Sequence, residues 1–198
     1  MNLRPILFLL CSIAVAAHAE TTAFAALKLL PKDAAKRLAR IEARDGRPQP
    51  ERWYLLVHDA AAPTGIREIV VTGGKMVANR TLSQFVDSLH PADIVGAASI
   101  KVDSDTLVRL VASFVVANGA RFGSLSYELG KDPVSGVPRW RVTILDPKGL
   151  QVGVLVIDAM KGTVLSHDGF EKEPPPSLIG GARPTGTGNS NGSTRRER

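Results

Sequence analysis

The segment Arg52-Trp53-Tyr54-Leu55-Leu56-Val57-His58-Asp59 recurs as Arg139-Trp140-Arg141-Val142-Thr143-Ile144-Leu145-Asp146, at a constant offset across all eight positions. Self-similarity at a fixed spacing marks a repeated structural unit. In the second copy Trp140, Val142 and Ile144 fall on one face of an extended chain, and Arg139, Arg141 and Thr143 on the other. That period of two predicts a strand with one buried side. Downstream, Gly65 to Val77 loosely matches Gly149 to Leu165, with Gly74 opposite Gly162. Two copies of a strand-turn-strand unit are therefore expected.

Working outward in the second copy, Pro147-Lys148-Gly149 reads as a turn, and Val152 to Ile157 is a continuously apolar, central strand. Before Trp140, Leu125, Tyr127 and Leu129 alternate with Ser124, Ser126 and Glu128, and Lys131 to Pro138 forms a loop between antiparallel neighbours. Ahead of that strand, Leu107, Leu110, Val111, Phe114 and Val115 make one helical apolar face. Ser104 serves as N-cap, Asp105 sits in the first turn, and Asn118-Gly119 ends the helix. The second unit reads as helix-strand-strand-strand. In the first copy a helix is expected from Pro31 to Ala43, striped by Ala34, Leu38 and Ile41. The Pro48- and Pro50-containing stretch before Trp53 leaves no room for the strand that precedes Trp140, so the first unit is abbreviated. Residues 78–103 join the halves, with a short helix around Gln84 to Leu89 and an extended entry at Ile100 to Val102. The expected fold class is α+β, a helix laid on an antiparallel sheet in each unit.

The ends of the chain differ from this middle. Arg4, the apolar run Ile6 to Ala17 and the triplet Ala17-His18-Ala19 have the layout of a secretory signal peptide, with cleavage after Ala19. The run is too short for a stable membrane span, so no membrane anchor is expected after cleavage. Cys11, the only cysteine of the 198 residues, lies inside that segment behind the bulky Leu10, which speaks against lipidation. A mature chain from Glu20 has no thiol, hence no disulfide, thiol nucleophile or cysteine-ligated metal. Residues 171–198 are rich in Pro, Gly, Ser and Arg and predict a disordered tail. The domain plan is 1–19 signal, 20–101 abbreviated repeat and linker, 102–170 second unit, and 171–198 tail. The expected location is periplasmic or extracellular.

The formal net charge is +6. Arg4 carries one of these charges and the tail two, leaving too little on the folded middle to imply nucleic-acid binding.

Residues 102–170 resemble the PepSY family. The resemblance rests on the helix after Val102-Asp103-Ser104-Asp105, the hairpin around Trp140 and Gly149, and the run Val156-Ile157-Asp158-Ala159-Met160-Lys161-Gly162-Thr163-Val164-Leu165. That last run is similar to the family's closing motif. Residues 31–80 read as a degenerate second copy, with Val71-Thr72-Gly73-Gly74 where the Asp158 motif stands. PepSY modules are small α+β units of metallopeptidase propeptides and envelope proteins, so the resemblance implies regulation of a secreted or envelope peptidase in trans, or another protein partner. On physical grounds alone, Asp158 and Gly162 form a structural turn: the carboxylate accepts from following amides and the glycine takes positive φ.

No residues assemble a catalytic or metal site, and no cofactor is expected. His58, His90 and His167 lack metal-ligand spacing. His58 and Asp59 point to opposite faces of a strand, and neither Ser99 nor Ser126 lies in a nucleophile elbow. Asp103-Ser104-Asp105 lacks the rest of a calcium loop, Thr72-Gly73-Gly74-Lys75 lacks phosphate-loop spacing, and Asn79-Arg80-Thr81 fits a glycosylation sequon. Two readings compete for Arg52, Trp53, Arg139 and Trp140. Either aromatic-arginine pairs bind a partner, or the tryptophans are core and the arginines solvated. The expected function is a non-enzymatic exported binding or regulatory protein, and the alternative is an envelope component holding a small or polymeric ligand on its sheet face.

Overall fold

The computed structural model describes residues 21–84 and 88–175. The expected signal segment and nearly all of the expected tail lie outside these residues, as do 85–87 of the short helix expected at Gln84 to Leu89.

Among the described residues, eight strands form a single antiparallel sheet. The first half supplies β1 (Leu38–Gly46), β2 (Arg52–His58), β3 (Ile66–Thr72) and β4 (Lys75–Thr81). The second supplies β5 (Ser124–Lys131), β6 (Pro138–Leu145), β7 (Gln151–Asp158) and β8 (Val164–Asp168). The order is β4-β3-β2-β1-β5-β6-β7-β8. Each half is thus a four-stranded meander, and the two meanders join where β1 runs antiparallel to β5, with Ile41 opposite Leu129 and Ala43 opposite Tyr127. The chain is α+β, with short helices α1 (Ala23–Leu27) and α2 (Lys32–Lys36) in the first half and the longer α3 (Ser104–Ala117) in the second.

Three sequence expectations need correction. The helix expected from Pro31 to Ala43 stops at Lys36, and Leu38 onward is strand β1. Leu, Ala, Arg and Glu are good helix formers, and the spacing of Ala34, Leu38 and Ile41 suits a helix. Pairing on both sides, with β2 and β5, overrides that preference. A register shift between Leu38 and Arg40 also hides the period of two. The first half is therefore not short of the strand before Trp53. Second, Val164–Asp168 is a fourth strand of the second half, so its order is helix and four strands. Third, Asp103 rather than Ser104 is the N-cap of α3. The apolar run of β7 is interior, paired on both sides, but the middle of the sheet is β1 and β5.

The core lies between the helices and one sheet face. Trp53, Leu55, Ile69, Ile41, Leu129, Trp140 and Ile144 from the strands meet Leu107, Val111 and Phe114 of α3 and Ala23 and Ala26 of α1. Burying each such side chain contributes roughly 1.5–3 kcal/mol. The helix starts are joined there. Asp103 Oδ1 accepts from the amide of Ser104 at 2.7 Å and from that of Phe24 at 2.9 Å. The Ser104 hydroxyl accepts from the Ala23 amide at 3.0 Å and donates to Gln49 Oε1 at 2.8 Å. At the far end of α3, the Asn118 side-chain oxygen accepts from the amides of Glu171 and Lys172 at 3.1 and 2.9 Å. The first residues assigned to the tail are therefore fastened to the fold. Among the described residues, no helix is long and apolar enough to cross a membrane.

Candidate functional site

Strand alternation sends one set of side chains into the core and leaves the other on a face that no helix of the described residues covers. Register places Tyr54, Glu42, Glu128 and Arg141 in one row across β2, β1, β5 and β6 of this open face. A neighbouring row holds Glu68, Leu56 and Arg40. A small apolar cluster of Ala39, Leu56, Ile66 and Leu89 closes one end, where the connection after β4 passes.

On the first half this face forms an open hollow of about 780 Å³ with Arg44, Arg47, Arg52, Tyr54, Glu51 and Asp45 in its lining. Two further acids there are already occupied. Glu68 pairs with Arg80 at 2.6 Å and Glu42 with Arg40 at 3.5 Å. Arg52 Nε donates to Thr72 Oγ1 at 3.3 Å, and interaction with Tyr54 raises its pKa above an already high value, so it is a permanent cation. Arg44, Arg47 and, across the sheet, Arg141 are exposed and have no ion-pair partner among the described residues. An arginine free of intramolecular pairing keeps its five donors for a carboxylate or carbonyl of another molecule.

The four residues read as a partner-binding set separate onto two faces. Trp53 and Trp140 are both 0% exposed. Trp53 Nε1 donates to the Thr21 carbonyl at 2.6 Å and Trp140 Nε1 to the Val102 carbonyl at 3.0 Å. Each indole thus binds the backbone just ahead of a helix N-cap, Thr22 for α1 and Asp103 for α3. With both indoles enclosed and hydrogen-bonded, neither presents surface to a partner in this conformation. Arg52 and Arg139 lie on the open face, and Arg139 is engaged by Asp132. Contacts from Ser135 backbone and hydroxyl, with Arg139 adding to them, hold Asp132 below the usual carboxylate range. Sequence reasoning passed over Arg44, Arg47 and Tyr54, because their shared face depends on β1 being a strand.

At the turn after β7, Asp158 Oδ1 accepts from the amides of Met160 and Lys161 at 2.8 and 3.0 Å, and Gly162 has a φ of 75°. The corresponding turn between β3 and β4 is the two-residue Gly73-Gly74, both with positive φ, the geometry a tight hairpin demands.

The histidines do not converge. His58 is on β2, His90 precedes a short 3-10 turn where its amide donates to Asp93 Oδ2 at 2.7 Å, and the His167 ring on β8 lies tilted against that of Phe114, with centroids 5.3 Å apart. Among the described residues, no group of three or more His, Cys, Asp or Glu side chains is placed to hold a metal ion.

No protein-family model matches the chain, and no curated protein matches it. Among solved structures it is similar to a provisionally described lipoprotein from Clostridium difficile 630, at 15% identity over 75% of this chain and 93% of that chain, with a TM-score of 0.47. By its own strand pairing, the described part of the chain is an α+β fold on one eight-stranded antiparallel sheet, and its likeness to PepSY modules stays one of sequence pattern.

Proposed function

We propose that this is an exported, non-enzymatic binding protein that meets a protein partner with the sheet face opposite α1 and α3. One observation carries the reading: Arg44 on β1, Arg52 on β2 and Arg47 in the loop between them line one open hollow with Tyr54, while the acids Glu42 and Glu68 of that hollow are paired with Arg40 and Arg80. Arginine and tyrosine are the residue types that dominate binding energy at protein interfaces. Strands hold Arg44, Arg52 and Tyr54 in place with little ordering cost on binding. The hollow is open and lined largely by charged residues, whereas small-molecule sites are enclosed and mostly apolar. This favours a protein surface over the alternative of a small ligand. Export rests on the signal-like N-terminal sequence, and peptidase as the partner rests on the PepSY resemblance alone.

The test is a parallel capture with the chain from Glu20 and with its R44E/R52E variant, from the envelope and medium of the native host. A protein recovered in stoichiometric amount by the first and lost by the second, at unchanged melting temperature, supports the reading. Equal recovery by both refutes it.

A further inference from the structure

The second half carries a different surface at the other side of the sheet. β8 is an edge strand, paired with β7 alone among the described residues. An edge strand offers a row of free amide and carbonyl groups to any extended segment that reaches it. Between β8 and α3 runs a groove of about 780 Å³, with Leu110 and Phe114 of α3 and Val164 and Leu165 of β8 in its lining. Leu165 is 55% exposed, an uncovered apolar residue at the position where an added strand would pack.

The two ends of the groove differ in charge. Lys101 and Lys161 line it at the end where β8 begins. They lie on adjacent segments, since the Lys101 amide donates to the Ala159 carbonyl at 2.9 Å. Both are exposed and neither has an ion-pair partner among the described residues. The acid in the lining, Glu173, is at the opposite end, 3.6 Å from His167 Nε2. Every strand pair in this sheet is antiparallel, and a segment added antiparallel to β8 would finish beside Val164, next to the two lysines.

We propose that this groove is a second docking site, taking an extended peptide that adds a ninth strand to β8 and ends in acidic residues held by Lys101 and Lys161. Main-chain hydrogen bonds to β8 supply affinity without regard to sequence. Alternate apolar side chains enter the groove, and the lysine pair selects the C-terminal charge. The site shares no residue with the arginine hollow, so the two are separable by mutation.

Two fluorescein-labelled octapeptides of alternating valine and threonine test this, one ending in two aspartates and the other in two lysines. Fluorescence anisotropy with the chain from Glu20 should show the aspartate-ended peptide binding at least about tenfold more tightly, with the preference shrinking as salt is raised. The exposed K101E/K161E double substitution should reverse the preference, and R52E should leave it unchanged. Absence of binding at millimolar concentration, equal affinity for both peptides, or a preference that survives the charge reversal would overturn the proposal. So would binding that appears only after removal of residues 176–198, since the chain's own C-terminus would then be the occupant.

Discussion

Trp140→Ala is the sharpest test of how this protein is held together. The side chain is 0% exposed, packs among the strand and α3 residues of the core, and hydrogen-bonds the Val102 carbonyl at 3.0 Å. Removing a buried tryptophan costs about 3–5 kcal/mol through lost apolar transfer and the cavity left behind. The abandoned Val102 carbonyl, 38 residues away in the chain at the entry to α3, places the variant toward the upper end, since an unsatisfied buried acceptor costs about 1–3 kcal/mol. For a domain near 150 residues, each kcal/mol is worth roughly 2–4 °C in Tm, which gives a drop on the order of 6–20 °C. Urea unfolding followed by fluorescence of the remaining Trp53 measures it directly. Trp140→Phe separates the two contributions, retaining most of the packing while losing the donor. If Trp140→Ala unfolds within about 1 kcal/mol of the wild type yet loses a binding partner, the indole is an interface group, and the division into buried face and open face is wrong.

Asp103→Ala should destabilise by about 1–3 kcal/mol, because one carboxylate oxygen caps the starts of both α3 and α1. Asp103→Asn should recover most of the loss, and a urea midpoint unmoved by the alanine variant would remove the joint. Acid stability should depend on Asp59, whose carboxylate is held below the usual range by the Ala61 amide and by Arg67. A depressed folded pKa contributes stability that is fully present above the ordinary aspartate value, about 3.9, and is lost as pH falls through the folded value. Thermal melts should therefore place Asp59→Asn below wild type at pH 7, with the two curves converging below about pH 4. Parallel curves down to pH 2 would show that the carboxylate is not differentially stabilised in the folded state.

Much of the second half was legible because its strands and helix are locally consistent. Leu125, Tyr127 and Leu129, and Trp140, Val142 and Ile144, are buried in strict alternation, and the α3 stripe from Leu107 to Val115 faces the core. There the period of each segment and the preferences of its residues agree, so each could be read alone. The tryptophan repeat was equally visible, and of its two readings, core or interface, the burial of both indoles agrees with the first. Burial of an indole is decided by what lies opposite it, here the carbonyls of Thr21 and Val102.

By itself, then, the sequence determined an α+β chain with a signal-like start, paired Trp-bearing strands and no cysteine beyond residue 11. The tertiary structure decided the rest, and β1 shows why. Residues 38–46 have helix-forming composition, and only hydrogen bonding to β2 on one side and to β5 on the other makes them a strand. β5 lies about eighty residues further along the chain, and no local pattern encodes a partner that distant. That one pairing fuses two meanders into a continuous sheet, while the pairing of β1 with β2 sets Arg44 beside Arg52 and Tyr54. The candidate site therefore exists only in the assembled sheet, because side-chain alternation defines a shared face only once neighbouring strands are in register.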